Sequence, residues 1–183
     1  MNRLAENFTY NKYGIEVRLA DLGDSLFILS LRRSKRGQIL HSTNSDLEQQ
    51  IEWMKEYKKR EKKGEEYYLI YSYEGKPFGV NRIIEIDYNK KSCEGGSWLC
   101  SEDTPFERAF ATLVIVNEIK FEIIGVDYSL GYTAKKNKQI QKLGKLLGWE
   151  VTGETEKEIF YRCDKGPYLN GVEKIKKILL LTD

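Results

Sequence analysis

The sequence has few of the residues that mark metal-binding, disulfide-bonded and triad-based proteins. Its three cysteines, Cys93, Cys100 and Cys163, are odd in number and lack the CxxC spacing of a zinc site, so neither a metal site nor a disulfide framework is predicted. The single histidine, His41, has no serine or cysteine with a carboxylate partner at hand, which argues against a nucleophile triad. We expect reduced thiols and a structural histidine.

Long apolar runs and an excess of one charge are also missing. No stretch approaches the roughly 20 apolar residues that a membrane helix needs, and residues 1–10 are polar where a signal peptide would have its apolar segment. The 30 lysines and arginines against 28 acidic residues leave a net charge of +2, which provides no overall field for a polyanion. The sequence therefore predicts a cytoplasmic protein without a membrane or nucleic-acid partner.

One basic run leaves a nucleic-acid interpretation open. Residues 55–63 read K-E-Y-K-K-R-E-K-K and include an aromatic side chain. Because glutamates interrupt the run at the end of a predicted amphipathic helix, a solvated helix face is favoured over a phosphate-binding stripe.

Hydrophobic periodicity predicts the order of the helices and strands. Strands are predicted where apolar residues alternate or strand formers cluster, and helices where apolar residues recur every three or four positions. The predicted strands cover residues 15–20, 67–73, 78–88, 93–100, 126–133, 149–152 and 158–163. The predicted helices cover residues 25–33, 46–60, 105–121, 138–147 and 172–181. Because no repeat, linker or low-complexity tract interrupts this order, one domain over residues 1–183 is predicted.

Two helix starts have paired capping signals. Ser45 and Glu48 form an S-x-x-E capping box before the second helix. Thr104 and Glu107 form another before the third helix, with Pro105 at its first position. We expect both boxes to fix the N-termini of their helices.

The order of elements and several local strings resemble one family. The order is β-α-α-β-β-β-α-β-α-β-β, and the strings recur in register along it. They are I-E-V-R-L at 15–19, I-E-W-M at 51–54, P-F-G-V at 77–80, C-E-G-G-S-W-L at 93–99, and an asparagine at 137 followed by G-W at 148–149. In these features, over roughly residues 15–163, the chain resembles the GCN5-related N-acetyltransferase (GNAT) family. Within that family it resembles the branch that acetylates ribosomal-protein N-termini and the amino sugars of nucleotide-sugar pathways.

The resemblance implies a fold and an activity. The implied fold is of the mixed α/β class, a GNAT-like central, mostly antiparallel sheet of about seven strands with helices on both faces. The implied activity is an acetyl-CoA-dependent N-acetyltransferase acting on a primary amine, that of a nucleotide-linked amino sugar first and a protein N-terminus second. The apolar end of the last helix, residues 178–181, would suit packing against a second copy in a homodimer.

Two departures from the family pattern leave an alternative open. The family binds the cofactor's pyrophosphate at a glycine-rich turn, whereas residues 101–108 here have no glycine and three carboxylates, which oppose an anion. Gly144 stands where many members have the tyrosine that protonates the departing thiolate. The alternative is therefore a fold relative that has lost the cofactor and serves as a binding or assembly module.

The resemblance also implies individual site residues. Glu94 would be the general base that accepts a proton from the amine, and a solvated glutamate at a strand end remains the alternative. The cofactor-binding candidates are Trp98, Leu99, Cys100, Phe106, Arg108 and Asn137. The substrate-binding candidates are Arg32, Trp53 and Glu85. Asn137 is equally explained as a helix cap.

Overall fold

The computed structural model describes residues 1–39 and 46–178. The strands are β1 (Thr9–Lys12), β2 (Ile15–Leu19), β3 (Tyr67–Tyr73), β4 (Lys76–Asp87), β5 (Ser92–Cys100), β6 (Tyr128–Ala134), β7 (Trp149–Glu154) and β8 (Glu158–Asp164). The helices are α1 (Ser25–Arg33), α2 (Leu47–Lys63), α3 (Phe106–Glu118), α4 (Lys138–Leu146) and α5 (Lys165–Ile178). A π-helical segment, Ile119–Ile124, continues α3.

One sheet contains all eight strands, in the order β1-β2-β3-β4-β5-β6-β8-β7. Every neighbouring pair is antiparallel except β5 and β6, which are parallel and lie near the centre. The predicted fold class is therefore confirmed. The additional strand is β1, which forms a hairpin with β2 through Tyr13 and Gly14, both at positive φ. It is only four residues long, too short for a clear periodicity.

The two faces of the sheet have separate apolar clusters. On one face, Met54 and Tyr57 of α2 pack with Tyr68 and Ile70 of β3 and with residues of α1. On the other face, α3, the π-helical segment and α5 pack against β2, β3 and β5. The first five residues of β3 are all buried, because both faces of this strand are covered.

The boundaries depart from the sequence prediction at two helices. The capping box of α2 is formed by Asp46 and Gln49. Ser45 of the predicted box lies outside the described residues. Helix α5 begins at Lys165, seven residues before the predicted start at 172. Pro167 is compatible with this start, because the first N–H groups of a helix have no intrahelical acceptor.

The structure shows the surroundings of the cysteines and of the basic run named in the sequence analysis. All three cysteines are free thiols and buried. In the basic run, lysines 55, 58 and 59 form ion pairs with glutamates 52, 61 and 56 of the same helix. No helix in residues 1–39 or 46–178 is long and apolar enough to cross a membrane. His41 and residues 179–181 of the predicted subunit contact lie outside the described residues.

Candidate active site

The two parallel strands β5 and β6 separate after a short ladder. They pair over three residue pairs, from Ser92 with Tyr128 to Glu94 with Leu130. Strand β5 then continues to Cys100 and β6 to Ala134 without further pairing between them. The edge of residues 95–100 that faces β6 therefore has main-chain N–H and C=O groups without a ladder partner, which is the arrangement that accepts an extended ligand.

A bulge in β5 shapes this open edge. Between the pairs Val80–Leu99 and Arg82–Gly96, the β4–β5 register shifts, and Ser97 adopts a positive φ of 52°. A β-bulge bends its strand and re-aims the following side chains. Gly95 and Gly96 thus lie at the point where the two strands diverge.

Two neighbouring cavities fill the space between the strands. The first, about 170 Å³, lies at the apex of the V-shaped opening and is lined by Gly95, Gly96, Lys120, Ser129 and Gly131, among others. The second, about 750 Å³, extends towards the N-terminus of α3. The cavities share Trp98, Asn137 and Ile140 in their linings, so together they form one groove.

The N-terminus of α3 lies in this groove without a side-chain cap. Pro105 occupies the N-cap position, so the helix begins one residue later than predicted and no side chain caps it. The predicted box of Thr104 and Glu107 is therefore wrong, because Thr104 lies outside the N-cap position that such a box requires. Instead, the buried Thr104 Oγ1 has no hydrogen-bond partner within the described residues, and Thr104 lines the second cavity together with Phe106.

Cations from other elements reach the acidic turn. Arg36 lines the second cavity and donates to the carbonyl oxygens of Ser101 (3.1 Å) and Glu102 (3.3 Å), and Lys136 lines the cavity from the far side of the groove. The Glu102 carboxylate accepts from the main-chain N–H of Lys35 at 3.2 Å. The region thus has positive charge that the sequence of the turn alone does not show.

The predicted cofactor-binding residues separate into two groups. The open edge and the groove contain five of the candidates, namely Trp98, Leu99, Cys100, Phe106 and Asn137. Asn137 also accepts from the Ile140 N–H at 3.3 Å, so it caps α4 while lining the groove. Arg108 lies elsewhere: its guanidinium carbon is 3.6 Å from the ring centroid of Tyr73, and it is not among the residues lining either cavity.

Glu94 is located at the apex, as the last β5 residue paired with β6. Partial burial raises the pKa of its carboxyl group, the negative charge of Glu85 raises it further, and Lys120 opposes both effects. A raised pKa suits a general base, although Glu94 is not among the residues that line either cavity. Glu85, a substrate-binding candidate, adopts a positive φ of 50° in a bulge of β4.

The other two substrate-binding candidates lie on the sheet face covered by α1 and α2. The guanidinium carbons of Arg82 and Arg60 lie 4.9 and 5.5 Å from the Trp53 ring centroid. Burial raises the pKa of the Tyr68 hydroxyl to about 12, which the positive charges of Arg32 and Arg82 partly oppose. Arg82 pairs with Gly96 in the ladder, so this positive and aromatic cluster adjoins the cleft.

The ring of Trp149 blocks position 144, where many members of the family have a tyrosine acid. A Cβ at Gly144 would lie 2.3 Å from an atom of the Trp149 ring, so the ring fills the space that a side chain at 144 would need. Tyr132 of β6, which sequence reasoning missed, lines the first cavity instead. Burial and the carboxylates of Glu158 and Glu94 raise the pKa of Tyr132, so its hydroxyl retains its proton at neutral pH.

Solved structures share this architecture, whereas no protein-family model and no curated protein matches the chain. Apo FdhC, described as a nucleotide-linked sugar GNAT, has a TM-score of 0.82 and 27% identity, covering 96% of this chain and 99% of that one. A spermidine N-acetyltransferase chimera from Vibrio cholerae and hSSAT has a TM-score of 0.73 and 18% identity, covering 86% and 99%. The ribosomal-protein-S5-alanine acetyltransferase from Vibrio fischeri has a TM-score of 0.74 and 15% identity, covering 88% of this chain and 99% of that one.

The sheet with one parallel, diverging strand pair and the uncapped helix beside it define a class of protein. The chain has the fold of the GCN5-related N-acetyltransferases, to which it is similar over most of its length. The predicted resemblance to this family, the fold class and the enzyme class, an N-acetyltransferase, are confirmed. The roles of individual residues, the acyl donor and the acceptor remain predictions.

Proposed function

We propose that the protein is an acetyl-CoA-dependent N-acetyltransferase acting on the primary amine of a small molecule. The observation that carries the proposal is the parallel ladder that stops at Glu94 and Leu130 while both strands continue. The open edge of β5 leads from this apex to the uncapped N-terminus of α3. An extended thioester with an anionic end fits such a groove, with the thioester at the apex and the anionic end at the N-terminus of α3.

The residues present support binding of acetyl-CoA. Main-chain groups of residues 98–100 would pair with the amides of the pantetheine arm. The first-turn N–H groups of α3 and the positive end of its dipole favour a pyrophosphate. The unpartnered Thr104 hydroxyl offers a further donor, and Arg36 and Lys136 offer charge. These cations answer the objection that the acidic turn repels an anion, and they favour an enzyme over a binding module that has lost its cofactor.

The chemistry requires a base, a donor for the carbonyl oxygen and a proton for the thiolate. Glu94 accepts a proton from the amine as the C–N bond forms. A main-chain N–H near Leu99 donates to the carbonyl oxygen, where negative charge develops. As the C–S bond breaks, the thiolate takes up one proton, which water can supply because alkyl thiols have pKa values near 8.5.

The acceptor ranked first is the amino group of a nucleotide-linked sugar, and a protein N-terminus is second. This ranking rests on the likeness to FdhC, with 27% identity over almost the whole chain. Trp53 could stack on a base or sugar, although Arg60 and Arg82 already lie over its ring and one of them would have to move. Glu85 beside Glu94 favours an acceptor that arrives as a cation.

A thiol-release assay tests the activity and the ranking together. The purified protein is incubated with acetyl-CoA and a panel of nucleotide-linked amino sugars, polyamines and N-terminal peptides. We expect turnover with the amino sugars. Selective turnover of peptides would overturn the ranking, and failure to bind acetyl-CoA at millimolar concentration would overturn the proposed function in favour of the binding module.

A further inference from the structure

The first cavity contains a buried lysine that the proposed chemistry does not use. Lys120 is only 5% exposed and lines the cavity at the apex of the cleft. Among the described residues, its Nζ has one hydrogen bond, to Ser129 Oγ at the long distance of 3.4 Å. Within residues 1–39 and 46–178 no carboxylate forms an ion pair with it.

Glycine in β5 allows the lysine to reach this position. A Cβ at Gly95 would lie 2.7 Å from Lys120 Nζ, so the amine occupies the space of the missing side chain. Gly95 directly follows Glu94, the last paired residue, and Gly131 lines the cavity from β6. The π-helical segment Ile119–Ile124, which supplies Lys120, is a geometry that recurs at functional sites.

The surroundings of Nζ do not satisfy a lysine. A lysine ammonium has three N–H donors, and buried charges in proteins are normally paired with an opposite charge. The neighbouring side chains are Ser129 and the thiols of Cys93 and Cys163, both of which have their pKa raised by burial and only partly lowered by Lys120. These thiols therefore remain neutral. The Glu94 carboxylate interacts with Lys120 electrostatically, but within the described residues it forms no ion pair with the amine.

The cavity is also larger than an acetyl group needs. A volume of about 170 Å³ is more than ten times the roughly 10–15 Å³ that accommodates one water by the same measure. Its lining is mostly apolar but includes the polar side chains of Asn81, Asn117 and Thr133 beside Lys120 and Ser129. An acetyl group would leave part of the cavity unfilled and Lys120 without an ion-pair partner. A longer acyl chain that ends in a carboxylate would fill the cavity and pair with Lys120.

We propose that Lys120 binds the free carboxylate of a dicarboxylic acyl chain, so that the preferred acyl donor is a malonyl- or succinyl-type thioester of coenzyme A. The inference rests on the proposed function, which places the thioester at the apex of the groove. The reaction is otherwise unchanged: the amine loses one proton, the C–N bond forms, the C–S bond breaks and the thiolate is protonated. The carboxylate on the acyl chain takes no part in these steps.

Direct binding without an acceptor tests the inference. Acetyl-CoA, malonyl-CoA and succinyl-CoA are titrated calorimetrically into the full chain, the Lys120→Met variant and a control, Lys59→Met, which removes an exposed lysine of α2. A charge-assisted hydrogen bond in a buried site corresponds to about a tenfold to hundredfold change in Kd. We expect the wild type and Lys59→Met to bind a carboxylated donor at least tenfold more tightly than acetyl-CoA, and Lys120→Met to lose this preference.

The outcomes separate the inference from the proposed function. Acetyl-CoA binding at least as tight as that of both carboxylated donors would overturn the inference and leave the proposed function intact. A preference that persists in Lys120→Met would also overturn it, since the carboxylate would then bind elsewhere. If none of the three thioesters binds, the proposed function itself fails. Should Lys120→Met not fold, Gly95→Ala replaces it, because its Cβ would displace Nζ, and the same loss of preference is expected.

Discussion

Replacing Gly144 with alanine tests how Trp149 closes one side of the groove. The new Cβ would lie 2.3, 2.8 and 3.0 Å from three atoms of the indole ring, all shorter than ordinary contact. Overpacking of this kind typically costs about 1–3 kcal/mol, and the better helix propensity of alanine returns up to about 1 kcal/mol. For a chain of this length each kcal/mol shifts the Tm by about 2–4 °C. The net cost is therefore at most about 3 kcal/mol, and we expect Gly144→Ala to lower the Tm by up to about 12 °C in differential scanning calorimetry.

A second glycine provides the matched control. Gly166 is also helical, and a Cβ there would meet nothing within 4 Å. Gly166→Ala should therefore keep or slightly raise the Tm, because it gains helix propensity without a collision. A Gly144→Ala protein as stable as Gly166→Ala would refute the packing of Trp149 described above, and with it the reason that a tyrosine cannot function at position 144.

Three further predictions concern the reaction. Glu94→Gln should lower kcat/KM at neutral pH by about 10²–10⁴-fold. Because the pKa of Glu94 is raised, wild-type kcat/KM should increase with pH around a pKa higher than that of an ordinary glutamate. In pH profiles of Glu94→Gln this increase should be absent. Thr104→Val should weaken calorimetric binding of coenzyme A severalfold but not that of pantetheine, which lacks the pyrophosphate. Arg36→Ala should weaken coenzyme A binding and flatten its dependence on salt concentration, whereas unchanged salt dependence would place the phosphates elsewhere.

Much of the fold could be predicted from local patterns. Strand β3 begins and ends where the cluster of strand formers does, at Tyr67 and Tyr73. The start of α5 was missed because Gly166 and Pro167 indicate a turn, although a proline near the start of a helix loses no hydrogen bond. The capping box at Thr104 had the correct residue types but the wrong register, which depends on the φ and ψ of Pro105.

The site was predicted less completely, because its chemistry depends on residues far apart in sequence. The strings of the family resemblance named Glu94 and residues 98–100 as site candidates, and the structure has them at the end of the β5–β6 ladder and on the open edge beyond it. They could not reveal that Arg36 contacts a turn 65 residues away, or that Arg108 lies over Tyr73 outside the groove. Lys120 lies within an apolar helical run, and its amine can reach the cavity only because Gly95 has no side chain.

Amide hydrogen exchange with and without acetyl-CoA tests most directly the claim that the open edge of β5 binds the acyl donor. Peptides covering residues 95–108 include the unpaired edge and the uncapped first turn of α3. At saturating acetyl-CoA we expect slower exchange in these peptides, because main-chain N–H groups there gain acceptors, and little change in β1 and β2. Exchange in residues 95–108 that is unchanged at saturation, or slowed only elsewhere, would contradict the account.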